Sequence, residues 1–373
     1  MNRTLLVLVI GIAVTLGLMV VLVNLSIERA YQREGAAEWP GGLGPLTAAP
    51  ARFPPTETNE AAAEFAELAA ALEPPEAVAD YVRAEVGRDG EAADPPPEVT
   101  AYLAEHEARL DAIRDDLLSG AELVWDHDPA LGYDAKPPRL AMHLGVARLL
   151  VTRALVRDDW EELRAASRLA RPLMKRPEFT ATVVGLAILR IVVASAAKLP
   201  LPAPRWLDEV YAIDPEAVLG RSFQYETWLA WRGAEDSFLP FMAANYVRHQ
   251  RETLRQLDMT RCPPGAARHF ARRMTEIPRW NFYARIIAPG VETAWDRVAR
   301  YRAEREATAN VLRAAAGQPI VTASQCGGTW SSETLPDGRI RVSYSLAIPK
   351  SGERDVEIPL TRTTRARTTR QST

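Results

Sequence analysis

The densest group of potential ligands in this chain is Asp126-His127-Asp128, two carboxylates and an imidazole, all acceptable donors to a hard or borderline divalent cation. They stand in a polar stretch from Ala121 to Pro138 that reads as a loop. Consecutive loop residues seldom all face one ion, and no second His or Cys cluster at metal spacing supports them. A solvated or helix-capping role therefore competes with a metal or catalytic one. His106-Glu107 opens like a zinc-protease helix, but Leu110 occupies the place of the second histidine, and His106 falls on an apolar stripe. The remaining histidines, His143, His249 and His269, are scattered.

Nucleophile signals are absent. The sequence has no G-x-S-x-G elbow, no phosphate-loop lysine, no G-x-G-x-x-G after a strand and no C-x-x-C. Ser331, Ser332 and Cys326 have no identifiable activating base. No cofactor is expected.

A different chemistry is suggested by charge. Nine arginines fall between Arg248 and Arg285 against Glu252, Asp258 and Glu276, with Tyr246, Phe270, Trp280, Phe282 and Tyr283 interleaved. Arg248, Arg251, Arg255, Arg268, Arg272 and Arg273 are candidates for an anionic-partner surface such as lipid headgroups or cell-wall polymers. The competing expectation is that they dock on the chain's own acidic half, Glu57 to Asp134, where 21 acidic residues face 4 basic ones. Net charge is only -3, so the two halves nearly offset. Arginine outnumbers lysine 41 to 4 without any spacing rule that selects it, and nucleic acid is not an expected partner.

The elements that must position these residues begin with Leu5 to Val23, nineteen residues in which Thr15 is the only polar side chain. A helix of that length nearly matches the roughly 30 Å hydrocarbon core of a bilayer. It exceeds the usual signal-peptide core, and the nearest small-x-small site, Gly35-Ala36-Ala37, is a poor one, so an uncleaved single span is expected over a cleaved leader. Arg3 before the span and Arg29 and Arg33 after it nearly balance, leaving the basic-residue rule silent. A three-residue polar head is easily kept in the cytoplasm, which favours a bacterial inner-membrane protein with a periplasmic body. Cys262 and Cys326, the only cysteines, are compatible with one disulfide there, or with two buried thiols. The expected partners are the bilayer and a membrane protein or second copy, the latter through the small pairs Gly11/Thr15 and Ala13/Gly17.

With 47% hydrophobic and 25% charged residues, the remainder is globular in composition. The expected fold is mainly α: a transmembrane helix in 1–34, a Pro/Gly-rich semi-extended tether in 35–57, an irregular helical bundle in 58–316, a small antiparallel β module in 317–361 and a disordered basic tail in 362–373. Within the bundle, Thr58 reads as an N-cap. Val99, Leu103, His106, Leu110, Ile113 and Leu117 form one amphipathic helix. Residues 140–156 and 160–169 form a hairpin that resembles one tetratricopeptide unit, without a second copy. Phe179 to Leu199, apolar almost all round except Arg190, belongs at the bundle centre rather than in a second span. Asp214-Pro215-Glu216 starts a further helix, and a long one ends at Gly317. Beyond it Ile340, Val342, Tyr344 and Leu346 alternate with polar residues after the turn Pro336-Asp337-Gly338.

The segments FPPTETN, ARLLVTRALVRDDWEELRAASRLARPL, ATANVLRAAAGQP and SQCGGTW with PDGRIRV together resemble a group of bacterial membrane-anchored helical proteins of unassigned function. The resemblance implies an anchored helical protein and no known chemistry. The expected function is a binding, scaffolding or complex-assembly module on a single-pass anchor; the alternative is an anchored hydrolase with its site near Asp126-His127-Asp128.

Overall fold

The apolar amino-terminal run lies in one uninterrupted helix, α1 (Arg3–Ala36), about 51 Å long at 1.5 Å per residue. The structure is a computed structural model that describes residues 3–88, 90–135, 138–234, 240–260, 277–279, 281, 289–349 and 357–365. Along α1 the large apolar side chains from Val14 to Leu25 are exposed: Val14, Leu18 and Leu22 are 64%, 61% and 56% exposed. One turn and a half later the same helix is part of the core, with Tyr31 and Glu34 buried.

The segment expected to be a semi-extended tether is instead packed. It folds into a two-residue pair of strands, β1 (Glu38–Trp39) and β2 (Gly44–Pro45), and a short helix, α2 (Ala49–Arg52). Trp39, Leu46, Ala49 and Phe53 are buried. The prolines and glycines break regular structure, as read, but the four apolar side chains between them have a surface to cover. Gln224, in the later helix Pro215–Gly233, donates to the carbonyls of Leu43 and Gly44 at 3.0 and 2.8 Å, which holds the irregular backbone in place.

The bundle proper runs α3 (Glu60–Ala70), α4 (Glu76–Gly87), α5 (Pro97–Glu105), α6 (Glu107–Ser119), α7 (Leu140–Arg157), α8 (Trp160–Lys175), α9 (Phe179–Ala196), α10 (Trp206–Tyr211), α11 (Pro215–Gly233), α12 (Pro240–Thr260) and α13 (Pro289–Ala315). Local chemistry sets the boundaries. Asn59, not Thr58, caps α3, its side chain accepting from the Ala62 amide at 3.0 Å. Asp158 in the left-handed region (φ 56) ends α7, and Asp159 caps α8 through the Glu161 amide. Asp214 caps α11 by accepting from the Glu216 and Ala217 amides at 3.0 and 3.1 Å. The apolar residues of the stripe, Val99, Leu103, Leu110, Ile113 and Leu117, are buried as expected, but the helix breaks at His106, which is half-buried and whose ring lies 4.3 Å from that of Tyr102 at the junction of α5 and α6.

Helix α9 is the centre, touching α4, α7, α8, α11 and α13. Both α1 and α9 are long and apolar enough to cross a membrane, yet 61% of the apolar window of α9 is buried by protein against 6% in α1. Its approach to α8 is close: a Cβ at Gly185 would fall 2.7 Å from Met174 Cγ and 3.0 Å from the Ala170 carbonyl, so only glycine fits. Arg190, the lone charge of α9, forms a two-pronged bond to Glu304 of α13 at 2.6 and 2.9 Å.

The carboxyl-terminal sheet is antiparallel in the order β3 (Trp330–Thr334), β4 (Arg339–Pro349), β5 (Glu357–Arg365). Its hairpin closes on Asp337-Gly338, Gly338 taking φ +78°. Trp330, Ile340, Val342 and Tyr344 form a second, smaller core with Ala307 and Val311 of α13. The register slips between Ser343 and Ala347, and Leu346, expected on the same inner face, comes out 38% exposed. The basic tail also departs from expectation: Arg362 to Arg365 pair with β4 rather than lying disordered. Threonine is β-branched and suits a strand, and β4 supplies a free edge for it. Residues 366–373 lie outside the described set.

Candidate functional site

The Asp126-His127-Asp128 triplet is extended, not looped. Thr56 and His127 pair as antiparallel strands would, amide to carbonyl at 2.8 and 3.0 Å in each direction, and the Asn59 amide donates to the Val124 carbonyl. Side chains alternate along such a segment. Leu123, Trp125 and His127 therefore point inward and are buried, while Asp126 and Asp128 are exposed on the opposite side. Asp126 accepts from the Thr58 hydroxyl at 3.2 Å, and Asp128 from the Ala130 amide at 2.8 Å. Period-two alternation thus separates the imidazole from both carboxylates. Among the described residues no group of three or more His, Cys, Asp or Glu side chains converges on one point.

The one side chain that the triplet contributes, His127, 5% exposed, belongs to a polar cluster that sequence reading missed. Its Nδ1 meets Glu178 Oε1 at 3.1 Å, and Arg176 clasps the same carboxylate with Nε at 3.0 Å and Nη2 at 2.5 Å. Arg176 also donates to the Asp126 carbonyl at 2.9 Å. Burial alone would raise the Glu178 pKa, but hydrogen bonds from His127 and Arg176 and the arginine charge more than offset it and hold the group at about 2. An ionised carboxylate only accepts, so His127 Nδ1 carries the hydrogen, while Nε2 is buried without a hydrogen-bond partner among the described residues. The Tyr225 ring lies 5.5 Å from the imidazole. This carboxylate–imidazole pair has the form of an oriented base, but no serine or cysteine accompanies it among the described contacts. Its physical effect is to clamp the segment 121–128 onto the junction of α8 and α9. Nearby, burial drives the His143 pKa down to about 4, and its ring packs 5.2 Å from Phe65 and 4.6 Å from Trp125.

The second cluster joins α1 to the body. The Tyr31 hydroxyl donates to the Trp231 carbonyl at 2.6 Å, and Trp231 Nε1 returns a bond to the Tyr31 carbonyl at 3.4 Å. The two rings stack at 4.9 Å and 15°. Gly35, one turn on, is where the indole lies: a Cβ there would sit 2.5 Å from it. Glu34, 2% exposed, accepts from Arg248 Nε at 2.9 Å and Arg251 Nη2 at 2.6 Å. Burial would raise its pKa; the bonds and charges of Arg248 and Arg251 prevail and lower it.

Two of the six candidate arginines are thus committed to Glu34, outside the acidic half expected to receive them. Arg255 pairs with Glu252 on its own helix at 3.0 Å. Arg268, Arg272 and Arg273 lie outside the described residues, as does Cys262. Cys326, 9% exposed, is disulfide-bonded. Ser331 and Ser332 are exposed on β3. The signal that could have revealed the α1 joint is the i, i+4 spacing of Tyr31 and Gly35, an aromatic and a gap on one helix face. Set against known proteins, the chain matches no family model, no curated protein and no solved structure.

Proposed function

We propose that this chain is a single-pass membrane protein whose first helix is retained, and that it carries a periplasmic helical body as a binding or scaffolding module held at a fixed height above the bilayer. The observation that carries this reading is the double character of α1: bare and apolar from Val14 to Leu25, built into the core from Tyr31 to Gly35. Cleavage after Ala37 would strip the body of the ring on Trp231 and the carboxylate between Arg248 and Arg251. A leader destined for removal has no reason to supply core contacts. The disulfide at Cys326 supports an oxidising compartment, and pairing with Cys262 follows as the proposed partner, since the chain has no third cysteine.

Phosphatase and fluorescent-protein fusions at Thr373 test the side of the membrane. An active phosphatase is expected, and a fluorescent, phosphatase-negative fusion contradicts a periplasmic body. Scaffolding is tested by cross-linking and mild-detergent co-purification of the full chain. A stoichiometric partner is expected; turnover of ester, peptide or glycan substrates by the purified chain would favour the hydrolase alternative instead.

A further inference from the structure

We propose that Arg29, Arg33 and Arg248 form a site for the phosphate of an anionic lipid headgroup, an inference that rests on reading α1 as a retained span. The first support is charge. Around the joint, Glu28 and Glu34 face Arg29, Arg33, Arg248 and Arg251, an excess of two positive charges. Arg251 is consumed internally: 13% exposed, it bonds both the carboxylate and the backbone carbonyl of Glu34. Arg33 and Arg248 touch the same carboxylate at 3.5 and 2.9 Å, yet their side chains are 68% and 51% exposed. The uncompensated charge therefore faces water on these two, and on Arg29, which lies one turn below Arg33 on the same helix face.

Height is the second support. The exposed apolar run ends at Leu25. Along the axis Arg29 and Arg33 follow it by about 6 and 12 Å. The headgroup layer is roughly 5–7 Å thick on each side of the hydrocarbon. Helical side chains lean toward the amino end, which in α1 is the membrane end, so Arg29 stands level with that layer, and Arg33, whose guanidinium is 3.5 Å from Glu34, has the side-chain length to swing back to it. Arg29 and Arg33 ride on the spanning helix itself, and because Tyr31 and Trp231 lock that helix to the body, Arg248 is held beside them at Glu34, on the water side of the layer, rather than hung on a flexible linker.

The test uses the full chain in nanodiscs of phosphatidylcholine alone and of equimolar phosphatidylcholine and phosphatidylglycerol, followed by mild extraction and mass spectrometry of the retained lipid. The wild type should enrich phosphatidylglycerol over the disc composition. Arg29→Gln with Arg33→Gln, which leaves Arg248 and Arg251 on Glu34, should lose that preference by up to about 30-fold, near fivefold per arginine. Arg29→Lys with Arg33→Lys should keep most of it, and Arg341→Gln, on the distant sheet, should match the wild type. A wild type carrying the disc's own lipid ratio, or a double glutamine variant that stays enriched, overturns the headgroup site alone. Failure of the chain to enter discs of either composition overturns the span as well.

Discussion

Replacing Glu34 with glutamine keeps the side-chain shape and removes the charge that ties α1 to α12. Glu34 is 2% exposed and takes its two strong bonds from Arg248 and Arg251. Hydrogen bonds to charged groups contribute about 1.5–3 kcal/mol each. The Arg248 share must be discounted because that side chain is half in water, whereas Arg251, 13% exposed, would be left with an uncompensated charge. A loss of about 2–4 kcal/mol is expected, read by urea unfolding of the full chain in detergent with tryptophan fluorescence, to which Trp231 in the joint contributes. A cycle with Arg251→Gln should show a coupling of about 1 kcal/mol or more. The pH arm has a definite sign. The folded Glu34 pKa is depressed, so its stabilisation is present above the ordinary 4.5 and is lost as pH falls through the lower folded value. The difference between wild type and Glu34→Gln should be flat near neutrality and shrink below pH 4.5. A variant within about 0.5 kcal/mol of wild type, additive with Arg251→Gln and indifferent to pH, would refute the joint.

Three further perturbations separate parts of the structure. Glu178→Gln should cost roughly 3 kcal/mol at neutral pH, since the carboxylate sits at about 2 against an ordinary 4.5; because it is depressed, the wild-type advantage should persist above pH 4.5 and fade between there and about 2, and a constant difference across that window counts against the His127–Arg176 clamp. Gly35→Leu drives a side chain into the Trp231 ring and should destabilise by about 1–3 kcal/mol, detected as earlier protease cleavage between α1 and the body; unchanged resistance would mean the ring is not there. Ile188→Ala, fully buried in α9, should cost about 2–5 kcal/mol, whereas a small effect would point to a lipid-facing helix.

Periodicity made the elements legible and spatial partners illegible. The stripe from Val99 to Leu117, the hairpin around Asp158-Asp159, the Asp214 cap and the Asp337-Gly338 turn are local chemistry, readable over a few residues. The same locality hid the packing of Trp39, Leu46 and Phe53, because a proline- and glycine-rich segment carries no period even when its apolar residues are buried. It also made Asp126-His127-Asp128 look like one site when an extended backbone turns its members to opposite sides. Glu178, fifty-one residues from His127, and Trp231, two hundred from Tyr31, leave no trace in spacing. The arginines stand out by charge alone, and Glu34, the partner of Arg248 and Arg251, sits outside the acidic half.

Whether α1 remains on the mature chain is answered most directly by the intact mass of the protein extracted from membranes of cells that express it. A mass that includes residues 1–37, span and joint together, is the expected result. A mature chain that begins at Glu38, folded and free of the membrane, would contradict it.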